Sequence, residues 1–143
     1  METASGEVLQ EDISTNSRPD VIARVLKTLW HGQTRVIEQP AEIDVVGHRV
    51  VHGGQKYRES VRVTEAVKHE INHLATLAPA HNPASLEGIV AIEQILPTVP
   101  QIAVFDTAFH SHMPSAAAIY PGPYEWLEQG IRRYGFHGIS HQY

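Results

Sequence analysis

An arginine, an aspartate and two histidines of this chain stand in local sequences suited to handling a small anion. Arg49 lies within Gly47-His-Arg-Val-Val-His-Gly-Gly54. On an extended strand side chains alternate, so Arg49 and Val51 share one face while His48, Val50 and His52 share the other. An arginine beside a valine can hold a small organic acid: the guanidinium forks onto the carboxylate and the valine meets the alkyl end. The same arginine would equally serve the fold by pairing with an internal acid. Asp106 follows the apolar run Gln101-Ile-Ala-Val-Phe105 and opens into Thr107-Ala-Phe-His110. Open α/β sheets bind ligands outside the carboxyl ends of their strands, where this run delivers a carboxylate. There Asp106 could hold magnesium, act as a base or orient a nucleophile, or it could cap the segment that follows.

The histidines divide in the same way. His81 precedes Asn82-Pro83, a helix-start signal, and so sits near a positive helix end where phosphate oxygens can gather. His137 lies between Phe136 and Gly138. Glycine permits close backbone approach to a ligand, and a histidine beside it can donate to a phosphoryl oxygen as charge develops. Both histidines can also be read as ordinary turn residues. A different pattern, His69-Glu-Ile-Asn-His73, matches the H-E-x-x-H arrangement of zinc proteases. At 100° per residue, however, His69 and His73 lie opposite the stripe of Val67, Ile71 and Leu74, which turns them to solvent. His110-Ser-His112 is a weaker pair of the same kind.

These residues need a scaffold, and the hydrophobic pattern supplies one. Val21, Ile22, Val25, Leu26 and Leu29 recur at helical spacing, with Asp20 as start and Gly32 as stop. Ile43 to Val51 reads as a valine-rich strand closed by Gly53-Gly54. Thr64 caps a second helix reaching about Leu77, with Val67, Ile71, Leu74 and Ala78 on its apolar face. Asn82 and Pro83 predict the start of a third helix through capping side chain and first-position proline, and Pro97 its end. The strand before Asp106 comes next. Pro121-Gly-Pro123 is a turn, Tyr124 to Gln129 a short helix ended by Gly130, and Ser140 to Tyr143 the beginning of another helix. Strands alternating with helices make an α/β arrangement.

Composition narrows the functional classes. The chain has 143 residues, enough for one domain with a core, and a formal charge of -5 with no basic stripe to neutralise nucleic-acid phosphates. It has no cysteine, which removes thiolate chemistry and disulfides and fits a reducing cytoplasm. No apolar stretch approaches the ~20 residues of a membrane span. Residues 1–18 are polar and patternless and read as a flexible leader, with the domain proper at 19–143.

Taken as whole strings, Gly47-His-Arg-Val-Val-His-Gly-Gly54, Leu77-Ala-Pro-Ala-His-Asn-Pro83, Val104-Phe-Asp-Thr-Ala-Phe-His110 and Ile131-Arg-Arg-Tyr-Gly-Phe-His-Gly138 resemble the acetate kinase (acetokinase) family in order and approximate spacing, from about Pro19 to Tyr143. The resemblance implies a fragment of a ribonuclease-H-like domain of the actin and sugar-kinase superfamily. It also implies transfer of the γ-phosphoryl group of ATP to acetate, giving acetyl phosphate and ADP, with Mg2+. By that resemblance Arg49 binds the acetate carboxylate and the moving phosphoryl group. Asp106 is the catalytic carboxylate near the reacting oxygens and, indirectly, the metal. His137 stabilises the transition state, His81 lies near the phosphoryl path, and Val51 and Phe136 line the methyl pocket. The family usually has leucine where this chain has Ala80, which leaves acetate and the larger propionate both open as acceptors.

Two regular features of the family do not appear in the sequence. Met1 to Ser17 shows no strand followed by an Asn-x-Gly-Ser-Ser-Ser phosphate loop, and the carboxy-terminal domain with most of the ATP site is missing. The chain therefore reads as a partial amino-terminal domain, from a truncated or split gene. It belongs either to an active ATP:acetate phosphotransferase, a homodimer in this family, or to a catalytically inactive remnant or interaction module.

Overall fold

The computed structural model describes Val8, Gln10, Asp12 and residues 17–143. Most of the segment read as a leader therefore lies outside the described residues. The first helix, α1 (Arg18–Lys27), begins two residues earlier than its sequence pattern suggests, because Ser17 is the cap: its hydroxyl accepts from the Asp20 N–H at 3.4 Å. It also ends before Leu29, as the Thr28 hydroxyl donates to the Val25 carbonyl at 2.6 Å and the chain turns toward Gly32.

The sheet has three strands in the order β1-β3-β2: β1 (Val46–Val50), β2 (Val61–Arg62) and β3 (Gln101–Phe105). β1 and β3 run parallel, with Arg49 opposite Val104 and Val50 opposite Phe105. A parallel pair needs a crossover connection, and this one contains α2 (Glu65–His73) and α3 (Asn82–Ile95). β2 pairs antiparallel with β3, Val61 opposite Ala103. Two residues are too few to show a period of two, so the sequence gives no sign of this strand.

The core forms where α2 and α3 meet the sheet. Val50, Ala103 and Phe105 come from strands, Val67 and Ile71 from α2, Ile89 from α3, and Tyr57 from the loop after β1. Tyr57 stacks on Phe105 with ring centroids 4.7 Å apart. Burying a side chain of this size contributes roughly 1.5–3 kcal/mol. The four residues expected on the inner face of the second helix, Val67, Ile71, Leu74 and Ala78, are all buried. Thr64 caps that helix as the sequence predicts, its hydroxyl accepting from the Val67 N–H.

The start of α3 departs from its reading. Asn82 is already helical, the cap position falls to His81, and the Asn82 amide is used elsewhere. The helix ends at Ile95, just ahead of Pro97. After β3 the chain makes a 3₁₀ turn (Phe109–His112), then α4 (Ser115–Ala118), α5 (Glu125–Glu128, ended by Gly130 at φ 75°) and α6 (Gly138–Gln142). Among the described residues no helix is long and apolar enough to cross a membrane.

Candidate active site

The parallel register sets the site. Arg49 is the penultimate residue of β1, and Asp106 follows the last residue of β3, its N–H donating to the Val50 carbonyl at 2.9 Å. The two side chains thus leave neighbouring strand ends together. The Arg49 Nε donates to both carboxylate oxygens, at 3.0 and 3.1 Å, and Nη2 donates to Oδ2 at 2.6 Å. Asp106 is 1% exposed while the Arg49 side chain is 57% exposed. A buried carboxylate therefore aims an accessible guanidinium. Hydrogen bonding to Asp106, and then its charge, raises the Arg49 pKa above its ordinary value. The cation is fixed under any aqueous condition.

His137 arrives from the other end of the sequence. Arg49 Nη2 lies 3.2 Å from its Nδ1, across 88 positions. Guanidinium has no acceptor, so Nδ1 must accept and the ring proton sits on Nε2. The backbone of His137 is left-handed, φ 53° and ψ 29°, a conformation that costs a non-glycine residue free energy and is kept only where its surroundings enforce it. The enforcement is visible. The Gly138 N–H donates to the Asp106 carbonyl at 2.9 Å, and a Cβ at Gly138 would lie 2.3 Å from that oxygen. Only glycine lets the His137 loop press onto the end of β3. Asp106 therefore holds Arg49 with its side chain and the His137 loop with its main chain.

A cleft of about 590 Å³ opens over these groups, lined by Arg49, Val51, Leu77, Ala78, Pro79, Ala80, His81, Asp106, Phe136 and His137. Every site residue named from the sequence lies on it. Its lining combines the charged and polar groups Arg49, His81, Asp106 and His137 with the apolar side chains of Val51, Leu77, Ala78, Pro79, Ala80 and Phe136. The expectation that Asp106 might instead cap the following segment is not met, since both its oxygens are taken by Arg49 and the 3₁₀ turn is preceded by Ala108.

Other supports were not legible in the sequence. Asn82 is fully buried, and its amide bonds the main chain of His52. The His52 ring, also buried, packs edge-on against Tyr134 and Phe136, and its Nδ1 accepts from the Gly54 N–H. Burial lowers the His52 pKa, and burial likewise lowers that of His48 against an opposing hydrogen bond that its Nε2 donates to the Gln101 side-chain oxygen. The Thr107 hydroxyl accepts from the Gly53 N–H, and His110 Nε2 pairs with the Phe136 carbonyl at 3.0 Å. Buried polar side chains on two chains of residues are a signal for such braces, but nothing in residue spacing marks them beforehand.

His69 and His73 are exposed on α2, and Glu70 accepts from Lys56 at 2.9 Å. Among the described residues no three potential ligands gather to hold a metal ion. Magnesium favours octahedral oxygen coordination, commonly through one or two carboxylates with phosphates and water. Among the described residues Asp106 is the one carboxylate on the cleft, and Arg49 engages both its oxygens. These residues do not form a magnesium site by themselves.

An α/β scaffold with a guanidinium and a bracing carboxylate at adjoining parallel strand ends, and an imidazole brought against them, defines an anion-handling cleft. The acetokinase family model matches residues 1–143, which takes in the opening segment as well as the stretch from Pro19. The chain belongs to the acetokinase family. It is 65% identical over its whole length to an acetate kinase of Cyanothece sp., of which it covers 35%. A crystal structure of Porphyromonas gingivalis acetate kinase superimposes with a TM-score of 0.88 at 43% identity, over 99% of this chain and 36% of that one. A propionate kinase from Francisella tularensis gives 0.83 at 42% identity, over 93% and 34%. The chain thus spans about a third of the length of the relatives it matches, and its fold is that of an actin and sugar-kinase-like fragment.

Proposed function

We propose that this segment is the acceptor side of an ATP-dependent acetate kinase, holding the carboxylate and the phosphoryl group that passes to it. The convergence of Arg49, Asp106 and His137 on one cleft supports this reading. In the reaction a carboxylate oxygen of acetate attacks the γ-phosphorus of ATP. The new C–O–P linkage forms as the bond to the ADP oxygen breaks, and ADP leaves with that electron pair. Acetate is already ionised at neutral pH, so no proton has to be removed and no general base is required. Phosphoryl transfer instead needs in-line placement and cancellation of charge on the equatorial oxygens.

The residues fit those needs. Arg49 faces the acetate carboxylate and the moving phosphoryl group. The Nε2–H of His137 donates to a phosphoryl oxygen, and His81, also on the cleft lining, contributes beside the phosphoryl path. Val51 and Phe136 receive the acetate methyl. Asp106 serves by orienting Arg49; as the carboxylate nearest the transfer it would meet Mg2+ only through water. Magnesium, when bound with ATP, supplies charge neutralisation of the phosphates. We assign most of the nucleotide site to the portion of the longer relatives that this chain does not span, and the homodimer and cytoplasmic setting to the parent enzyme.

A second acceptor is favoured by one observation. Ala80 is a small side chain on the cleft lining, which leaves room for the extra methylene of propionate. Two assays test the reading. Acetyl phosphate is expected to bind the chain, and Arg49→Ala to lose that binding; equal affinity in both proteins would overturn the assignment of the cleft. Hydroxamate trapping with ATP, magnesium and acetate is expected to give only background with the isolated chain. Turnover above the Arg49→Ala control would instead rule out an inactive remnant.

A further inference from the structure

Asn82 contributes nothing to the cleft surface, yet its side chain is among the most completely buried in the molecule. A buried amide must find partners for its oxygen and its two N–H groups or lose free energy. Here Oδ1 accepts from the His52 N–H at 3.1 Å, and Nδ2 donates to the His52 carbonyl at 3.0 Å and the Ile71 carbonyl at 3.2 Å. The amide bonds both main-chain groups of one residue, as a neighbouring strand would. It thereby extends the order of β1 past its last paired residue, Val50.

The two residues joined by this amide pair, His52 and Asn82, each adjoin a residue of the cleft lining. His52 directly follows Val51, which lies two residues from Arg49. Asn82 itself directly follows His81. The His52 ring packs on Phe136, next to His137, with centroids 5.5 Å apart. One buried amide therefore joins the segment bearing Arg49 to the segment bearing His81, and through the His52 ring to the segment bearing His137. The helix start would be adequately formed without it, because Pro83 occupies the first turn and the amide caps nothing.

We infer that Asn82 is a positioning residue: it sets the separation of His81 from Arg49, and so the fit of the cleft to a phosphoryl group. This rests on the cleft being the phosphoryl site proposed above. Asn82→Asp retains an acceptor for the His52 N–H but loses both donated bonds. Asn82→Ala loses all three.

The test is an inorganic phosphate titration of the 143-residue chain followed through the imidazole NMR signals of His81 and His137. In the unsubstituted chain both signals, and the side-chain amide signals of Asn82, are expected to shift with one common affinity. In Asn82→Asp and Asn82→Ala the affinity is expected to fall on the order of tenfold, with the His81 response more reduced than that of His137. Ile89→Ala, a core change on the same helix, controls for lost stability and is expected to bind phosphate as the unsubstituted chain does.

Wild-type affinity in both Asn82 variants would overturn the inference, and so would equal losses in Ile89→Ala. Should neither Asn82 variant fold, the unsubstituted chain still decides: Asn82 amide signals that stay still while His81 and His137 shift would overturn it. Failure of His81 and His137 to respond in the unsubstituted chain would overturn the cleft assignment itself, and this inference with it.

Discussion

Glu70 and Asp106 are carboxylates with histidines close by in the sequence, and the fold uses them in opposite ways. Glu70 sits on α2 between His69 and His73, reaches Lys56, and leaves both histidines in solvent. Asp106 is buried at the end of β3 and draws in Arg49 from β1 and the His137 loop from far along the chain. The first group is compact in sequence and dispersed in space. The second is dispersed in sequence and convergent in space. Chemistry follows the second because a desolvated carboxylate with a fixed cation makes a directed positive surface, whereas a solvated ion pair on a helix is worth little.

Removing the centre of the convergent group should give the largest effect. Asp106→Ala leaves three guanidinium hydrogen bonds without their acceptor and releases Arg49. We expect a loss of about 2–3 kcal/mol in urea unfolding, together with loss of phosphate binding. Unchanged binding would show that Arg49 needs no carboxylate to aim it. Gly138→Ala comes next. Its methyl collides with the Asp106 carbonyl, so the His137 loop must shift, at a cost of about 1–3 kcal/mol and with the His137 response to phosphate abolished. A crystal structure of that variant with the loop unmoved would refute the role given to the glycine.

A smaller effect should appear with pH. The folded state holds His48 and His52 with pKa values below the usual 6.5, so the unfolded chain binds protons more readily. Stability is therefore complete above 6.5 and declines as pH falls below it toward the folded values. Thermal melts between pH 7.5 and 5 should show this decline, and replacing His52 with glutamine should make it shallower; an identical slope would contradict the assignment to burial. The smallest effect belongs to the dispersed group. His69→Ala and His73→Ala should each change stability by no more than about 0.5 kcal/mol, with no stoichiometric zinc in the purified protein. Zinc at one equivalent, lost on either substitution, would erase the contrast between the two groups.

Much of the scaffold was legible. The inner face of α2 was correctly read because Val67, Ile71 and Leu74 repeat at helical spacing, and the Asp106 strand because four apolar residues, Ile102 to Phe105, lead up to a carboxylate. β2 was invisible because two residues carry no period, and α4 because Ser115–Ala118 is a single turn without a pattern. Asn82 was misread in an instructive way. An asparagine before proline signals a cap when only neighbours in sequence are considered, but the amide bonds the main chain of His52, just past β1 and thirty residues away. The convergence of Arg49 with His137 could be inferred only from resemblance to a family, since local spacing says nothing about positions 88 apart. The left-handed backbone of His137 lay equally out of reach: it arises from contact with the end of β3, and only Gly138 hinted at it.

The account is tested most directly by a crystal structure of the chain soaked with acetyl phosphate. It predicts the phosphoryl group within hydrogen-bond distance of the Arg49 guanidinium and the His137 imidazole, with the methyl against Val51 and Phe136. Density for the phosphoryl group on another face of the molecule, such as the narrow depression beside Arg58 and Arg132, with this cleft holding only water, would contradict it.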